Sequence, residues 1–203
     1  MEELTSMKLD VLREIGNIGA GNATTALSVM LNSNLRMEAP IVKILDFDEI
    51  PEMIGGADTI VTAVLTLFSG EVNGMMLFIL EMEEAKNLAG TMLSKTYSDD
   101  FERFDHMDKS VLKEVGNILM SSYINSIGTL TNMQFRTEPP AICVDMAGAV
   151  LSLPISQLGQ VGDKALVIDS KFLDNERPIN GFLMLVTDEI SYQKIFESLG
   201  IGC

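Results

Sequence analysis

The sequence has 203 residues, of which 47% are hydrophobic, enough to bury a core in one domain or in two small ones. Its formal net charge of −15 disfavours nucleic-acid binding, which requires clustered Lys and Arg, and instead allows attraction of a partner with an exposed cation. The longest apolar runs, at 63–68 and 74–80, are too short for a membrane span, and the N-terminal residues lack a signal-peptide profile, so we expect a cytoplasmic location.

Cysteine and histidine, the residues of most structural zinc sites, are scarce in the sequence. The two cysteines, Cys143 and Cys203, form no C-x-x-C pair, and the single histidine, His106, has no cysteine near it in the sequence. This pattern predicts neither a disulfide framework nor a zinc site, and it disfavours a Ser-His-Asp triad. We therefore expect no cofactor of the protein's own.

The chain repeats itself at a fixed offset. "MKLDVLREIGNI" at 7–18 returns as "MDKSVLKEVGNI" at 107–118, and the register then continues without a gap to the prolines at 40 and 140. The identical pairs include Met7/Met107, Val11/Val111, Leu12/Leu112, Glu14/Glu114, Gly16/Gly116, Asn17/Asn117, Ile18/Ile118, Asn32/Asn132, Arg36/Arg136, Glu38/Glu138 and Pro40/Pro140. A repeat of this length indicates a duplicated structural unit.

Each copy is predicted to contain a long helix, a strand that begins near the proline, a short irregular or helical piece, a β-hairpin and a closing helix. The first helix begins near Leu4. The later segments are 48–56, 58–68, 71–81 and 82–93 in the first copy and 156–163, 164–173, 179–186 and 191–200 in the second, with "VNG" at 72–74 matched to "ING" at 179–181. The charged segment 94–108, which contains His106, is interpreted as the connector.

These elements predict the fold class. A three-stranded half gains most when it shares its sheet and helices with its twin, because few strands alone cover little apolar surface. We predict an α+β fold in which two α-β-(x)-β-β-α halves, related by pseudo-twofold symmetry, share one sheet. The whole chain, 1–203, is then a single domain, with the first repeat at 1–100 and the second at 101–203.

Polar residues of the first repeated helix form a narrow stripe. At 100° per residue, Asp10, Glu14 and Asn17 lie at about 0°, 40° and 340°. The large apolar residues cluster at about 60° to 140°, so the stripe is expected to flank the buried face and to point toward solvent. Gly21 and Ser28 extend the stripe with small side chains, which would allow a partner backbone to approach closely. The second helix builds the same stripe from Ser110, Glu114, Asn117, Ser121 and Gly128.

The glycines and asparagines at 16–22 allow three interpretations. A phosphate-binding loop is disfavoured because a helical pattern precedes it where a strand is required, and because the second copy replaces Gly19 and Gly21 by Leu119 and Ser121. A helix end remains open, since Gly-Asn is a fair C-cap, although the apolar spacing continues to Met30, and an origin in packing alone also remains open. The third interpretation, a helix face kept small and polar for a partner, is favoured.

The chemistry available to the stripe is limited. A carboxamide has one acceptor and two donors, so it can hold a water molecule in line for attack but cannot deprotonate it. A carboxylate one turn earlier can pair with a cation on a docked partner. The matching reaction is hydrolysis of a phosphoryl group that is already bound to a metal ion on the partner, comparable with the water-positioning glutamine of GTPases.

The repeated motif resembles that of the CheC-type phosphatases of bacterial chemotaxis, the CheC/CheX/FliY family. The family motif is Asp or Ser, three residues, Glu, two residues, Asn, about twenty-two residues, then Pro. The sequence carries it as Asp10, Glu14, Asn17 and Pro40, within "EIGNIGAGNA", and again as Ser110, Glu114, Asn117 and Pro140. The resemblance covers essentially the whole chain, and no motif position departs from the pattern.

The resemblance implies dephosphorylation of the response regulator CheY at its phosphoaspartate, with Mg²⁺ supplied by the regulator. Asn17 and Asn117 would orient the attacking water, and their neighbours in the motif would assist. By this resemblance Glu14 and Glu114 bind the regulator's active-site lysine, Asp10 and Ser110 support the docked edge, and Pro40 and Pro140 shape the strand beneath each helix.

Two further expectations come from the resemblance. Family members bind the receptor-modifying deamidase CheD, for which Asp145 in "ICVDMAG" is a candidate contact. The alternative function is a scaffold without turnover, or a flagellar-switch-associated binder of phosphorylated CheY or CheD. Motor-associated members usually carry an extra C-terminal switch domain or an N-terminal targeting peptide, and neither is seen in these 203 residues, so we expect a phosphatase.

Overall fold

The computed structural model describes residues 6–31, 36–97, 104–159, 164–174 and 177–200. The first repeat contains α1 (Ser6–Leu31), β1 (Arg36–Met37), β2 (Ile41–Asp46), α2 (Ile50–Met53), β3 (Ile60–Gly70), β4 (Gly74–Glu81) and α3 (Met82–Leu93). The second contains α4 (His106–Thr131), β5 (Phe135–Thr137), β6 (Ala141–Met146), α5 (Ala147–Leu151), α6 (Leu153–Leu158), β7 (Lys164–Asp174), β8 (Arg177–Thr187) and α7 (Glu189–Ser198). Leu4, Cys203 and the predicted repeat boundary at 100 and 101 lie outside the described residues.

The two repeats exchange strands within one eight-stranded antiparallel sheet. The first strands of each repeat pair with the hairpin of the other: β2 pairs with β7, placing Val42 opposite Ile168, and β6 pairs with β3, placing Ile142 opposite Val64. The central contact joins β4 to β8. The predicted fold class, an α+β fold of two similar halves that share a sheet, is confirmed.

Both faces of the sheet are covered. Along β4 every residue from Gly74 to Leu80 is buried, and alternate side chains enter two separate cores. Met76 and Phe78 pack with the long helices α1 and α4, whereas Met75 and Leu77 pack beneath the short helices α2, α5 and α6. The long helices therefore lie together on one face, with their outer surfaces available to solvent. None of the described helices is long and apolar enough to cross a membrane.

Small residues allow α1 to approach its neighbours closely. A Cβ atom at Gly16 would lie 2.8 Å from Val42 of β2, and one at Gly19 would lie 2.5 Å from the ring of Tyr123 on α4. In the second repeat, a Cβ atom at Gly116 would lie 2.8 Å from Val64 of β3. The helical-end interpretation of the glycine-rich segment is wrong, because α1 continues through it to Leu31 and two of its glycines are packing contacts.

Gly19→Ala is expected to destabilise the protein because the added methyl group would overlap the buried ring of Tyr123. Overpacking of this kind costs typically about 1–3 kcal/mol of unfolding free energy. Urea denaturation followed by circular dichroism measures the loss. An unfolding free energy equal to that of the unsubstituted protein would show that the two helices can separate at this crossing without cost.

Three sequence-based details were wrong. Helix α4 begins at His106 and is capped by Asp105, whose carboxylate accepts hydrogen bonds from the backbone N–H groups of Met107 and Asp108, so the connector ends earlier than 108. The segments 72–74 and 179–181, which were matched by sequence, differ in position: 72–74 ends at the first residue of β4, whereas 179–181 lies inside β8, where Gly181 makes room for the ring of Phe78 on the neighbouring strand. The buried face of α1 is also displaced around the helix from its predicted position.

Candidate functional site

The motif residues of α1 face solvent on the side opposite the core. The buried positions of this helix are centred near 200° on the helical wheel, whereas Val11 and Ile18, which were assigned to the buried face, are only half-buried. The prediction that the stripe flanks the buried face was wrong, because small packing residues were not counted as part of that face. The buried residues are Leu12, Ile15, Gly16, Gly19, Ala20, Ala23 and Leu27.

Asp10, Glu14 and Asn17 are all exposed, as the stripe predicts. Asp10 pairs with Arg13 at 3.4 Å, and both side chains are largely in solvent, so the pair contributes little to stability. Among the described residues, Glu14 and Asn17 have no hydrogen-bond or ion-pair partner for their side chains. Their polar atoms are available to an external group.

The second stripe repeats this arrangement on α4. Glu114 is exposed, and Ser110 and Asn117 are half-buried. In the described part of the chain, the side chains of Glu114 and Asn117 also lack a hydrogen-bond or ion-pair partner. The two helices therefore each offer one carboxylate and one carboxamide, a single turn apart, to solvent.

A groove of about 450 Å³ runs along α1 beside Asn17. Its other wall is the segment 36–40, which contains β1 and the connection from β1 to β2. Pro40 lies beneath the helix, since a Cβ atom at Gly16 would be 3.3 Å from its Cγ atom. The groove is lined by Asn17, Ala20, Gly21, Thr24, Arg36, Met37, Glu38, Ala39 and Pro40.

Gly21 is the small residue of α1 that internal packing does not explain. It is exposed, and no atom lies within 4 Å of a Cβ atom built on it. Its helical backbone does not require glycine, and glycine at an exposed helix interior costs about 1 kcal/mol of stability relative to alanine. At Gly21 there is therefore open space for the partner backbone that the stripe was predicted to admit.

The second helix differs from the first beside its carboxamide. The counterparts of Ala20 and Thr24 are Met120 and Ile124, and both of these larger side chains are buried. Ser121, the counterpart of Gly21, is half-buried. Gly128, the last member of this stripe, is half-buried, and a Cβ atom built on it would lie 3.0 Å from the backbone oxygen of Met133 and 3.2 Å from the ring of Phe135. It also lines a pocket of about 800 Å³ with Phe135 and Arg136.

The described residues contain no group of three or more His, Cys, Asp or Glu side chains placed to hold a metal ion. Cys143 is half-buried on β6, and burial raises the pKa of its thiol, with the charge of Asp145 adding to the effect. His106 is exposed at the first turn of α4. Neither side chain lies on a stripe.

Comparison with known proteins identifies the repeated unit. The CheC-like family model matches residues 7–44 and 107–144, which contain both stripes and both motif prolines. The chain is 36% identical over 197 residues to the CheY-P phosphatase CheC of Bacillus subtilis (strain 168), covering 95% of this chain and 94% of that protein. The chain belongs to the CheC-like family.

Solved structures share the fold of this CheC-like protein. Thermotoga maritima FliY matches with a TM-score of 0.74 and 20% identity, over 98% of each chain. A chain in the CheX-CheY-BeF3-Mg²⁺ complex from Borrelia burgdorferi matches with a TM-score of 0.52 and 19% identity, covering 84% of this chain and 96% of the other. At these identities the likeness concerns the fold alone.

Two features of the site were not predicted for this CheC-like chain. Arg36 and Glu38 recur in the second repeat as Arg136 and Glu138, yet no role was assigned to them, and in the first repeat they line the groove beside Asn17. The signal in the sequence that could have identified these residues is their recurrence, unchanged, at the fixed offset of the repeat. The larger side chains of the second helix were the second omission, since Met120 and Ile124 take the places of Ala20 and Thr24 within the aligned segment.

Asp145 lies away from both stripes. It is exposed on β6, opposite Val61 of β3, and its carboxylate accepts a hydrogen bond from the backbone N–H of Met146 at 2.8 Å. Among the described strands β6 pairs only with β3, so its other side is a sheet edge. This position neither supports nor excludes the predicted contact with CheD.

Proposed function

We propose that this chain is a phosphatase that hydrolyses the phosphoaspartate of the phosphorylated response regulator CheY. The observation that carries the proposal is the duplicated, solvent-facing pair of carboxylate and carboxamide, in a chain 36% identical to a protein named CheY-P phosphatase. Because neither a cysteine nor a histidine lies on either stripe, we infer that the chemistry uses groups that the substrate brings.

Asn17 and Asn117 position the attacking water at their respective sites. Each carboxamide lies on a long helix, so its Cα position is fixed by the packing of that helix against the sheet. Its oxygen accepts a hydrogen bond from water and its N–H₂ group donates to an oxygen of the phosphoryl group. Positioning of this kind lowers the barrier because it supplies the orientation that free water lacks. The Mg²⁺ ion that offsets the phosphoryl charge belongs to the regulator.

Glu14 and Glu114 bind the regulator through a cation, the lysine of its active site. An exposed carboxylate with no ion-pair partner among the described residues has no such pair there to break before docking. Asp10 and Ser110, one turn earlier, lie at the edge of each contact. The protein's negative charge favours the approach of a positively charged group.

Replacement of Glu14 and Glu114 by glutamine is expected to weaken binding of the phosphorylated regulator. The carboxylates are exposed before docking, so the unsubstituted protein should also bind less tightly as salt is raised, and the Glu→Gln variant should lose most of that salt dependence. Binding measured at low and at high salt checks both. An affinity unchanged by the two substitutions would remove the ion pair from the mechanism.

A second part of the proposal is that the protein also binds CheD and so joins signal termination to adaptation. Its support is the family relationship, and Asp145 is the candidate contact. Asp145→Arg tests this, because a reversed charge at a direct contact should abolish binding of CheD while phosphatase activity at the two stripes persists. Unchanged binding of CheD would exclude Asp145 from that surface.

The decisive experiment for the function is the decay of purified phospho-CheY with and without this protein. Acceleration at substoichiometric amounts of the protein is expected and would establish turnover. Binding of phospho-CheY without acceleration would favour the alternative, a non-enzymatic scaffold or a flagellar-switch-associated binder. The substrate would place this activity in the cytoplasm.

A further inference from the structure

Glycine at position 21 lowers the stability of helix α1, and no packing contact within the fold accounts for its presence there. The other two nearby glycines, Gly16 and Gly19, have neighbours at 2.8 Å and 2.5 Å from the Cβ position, whereas Gly21 has none within 4 Å. All three belong to the same uninterrupted helix, α1. The packing explanation that accounts for the first two therefore does not extend to the third.

The position of Gly21 connects it with the proposed reaction. It follows Asn17 by four residues, so the two residues lie on the same face of α1, one turn apart. Both line the groove whose opposite wall is the segment 36–40. A side chain at position 21 would therefore project into the space next to the carboxamide.

We propose that Gly21 is the point at which the main chain of the phosphorylated regulator comes into van der Waals contact with α1. This proposal rests on the proposed function and deepens it by naming the docking contact of the first site. The absence of a side chain lets the regulator's backbone reach the depth at which its phosphoryl group meets Asn17. Gly21 acts through the placement of the substrate and is a positioning residue.

The second site makes its contact differently. There Ser121 takes the place of Gly21, and the neighbouring positions are filled by the buried side chains of Met120 and Ile124. At the second site the regulator consequently meets the side chain of Ser121 where the first site has none. Substitutions at position 21 should affect the first site only.

The test uses the full chain with Asn117→Ala, so that the first site alone is measured. Into this parent are introduced Gly21→Ala, Gly21→Leu and, as the matched control, Ala26→Leu, another exposed position of α1 that lies about 140° around the helix from Gly21. Single-turnover decay of phospho-CheY is recorded against the concentration of each variant. Thermal melting is recorded in parallel.

Gly21→Ala is expected to raise the melting temperature by about 2–4 °C, the shift that a better helix former produces in a chain of this size. The same substitution should raise the half-saturating concentration several-fold. Gly21→Leu should reduce the decay rate at subsaturating protein by about 100-fold, since a misplacement of about 1 Å can cost that much. Ala26→Leu should leave the decay rate unchanged.

If Gly21 is a docking contact, Gly21→Ala should raise the melting temperature and weaken the reaction. If Gly21 had only a structural role, the substitution should lower both the melting temperature and the reaction rate. Gly21→Leu with the concentration dependence of the parent would overturn the proposal. An inactive Asn117→Ala parent, beside an active unsubstituted protein, would also overturn it, because the first site would then be unproductive. No acceleration by the unsubstituted protein would instead refute the proposed function.

Discussion

Replacing Asn17 and Asn117 together by alanine is expected to return the decay of phospho-CheY to the regulator's own rate. Each stripe contains one carboxamide, and the two lie on different helices, so either single substitution should leave partial activity. Loss of a group that orients the reacting molecule typically costs on the order of 100-fold in rate. The measurement is the initial rate of phosphate release at saturating phospho-CheY for the two single variants and the double variant.

The control for this experiment is Asn87→Ala, which removes an exposed asparagine from α3, a helix that carries neither stripe. It should retain the full rate. Asn17→Asp combined with Asn117→Asp should also be impaired, because it removes the amide donors and places a negative charge beside the phosphoryl group. A double alanine variant with near-normal activity would mean that water is positioned by other groups.

Asp108→Ala is expected to destabilise the protein more than Gly19→Ala does. The carboxylate is fully buried and accepts hydrogen bonds from Lys95 Nζ at 2.9 Å, from the Tyr97 hydroxyl at 2.8 Å and from the backbone N–H of Asp105 at 2.9 Å. Through these contacts it joins the end of α3 to the start of α4. Removing one member of such a buried network costs about 2–4 kcal/mol, and the melting temperature should fall by roughly 5–15 °C.

The matched control is Asp10→Ala, which removes an ion pair between two exposed side chains, Asp10 and Arg13. That pair is worth at most about 0.5 kcal/mol, so the melting temperature should stay within about 2 °C of the starting value. A shift for Asp108→Ala no larger than that of the control would show that the buried network does not hold the two helices together.

The same network predicts how stability depends on pH. The backbone N–H of Asp108 and the ammonium group of Lys95 lower the pKa of Asp105, and hydrogen bonding to Asp108 raises the pKa of Lys95. A lowered carboxyl pKa contributes stability that is present above its unfolded value, 3.8, and is lost as the pH falls through the folded value. The raised pKa of Lys95 contributes stability that is present below its ordinary value and is lost at strongly alkaline pH.

The repeated pattern was sufficient to predict the fold class and the order of elements. Strands β3 and β4 and the helix α3, for example, carry local signals that do not depend on distant residues: apolar runs rich in β-branched and aromatic residues, a glycine-containing turn and an acidic first turn. The partner of β2 could not be predicted, because pairing with β7 of the other repeat is decided by the packing of the whole sheet.

The stripes were correctly predicted to face solvent, but the reasoning used to orient the helical wheel was partly incorrect. The wheel was oriented by large apolar residues such as Val11 and Ile18, which are half-buried, whereas the tightest contacts of α1 are made at Gly16 and Gly19. Where helices and strands approach this closely, small residues mark the interface. Gly128 of the second stripe also has a close neighbour, since a Cβ atom built on it would lie 3.2 Å from the ring of Phe135.

Single-turnover decay of radiolabelled phospho-CheY, with this protein in excess, tests the oriented-water mechanism most directly. In the proposed mechanism water attacks the phosphoryl group directly and no stripe residue does, so the label should appear only as inorganic phosphate, and the metal requirement should follow that of the regulator. Gel separation of the two chains during the reaction gives the answer. We predict accelerated decay with no label on this protein, and label transferred to this chain would contradict the mechanism.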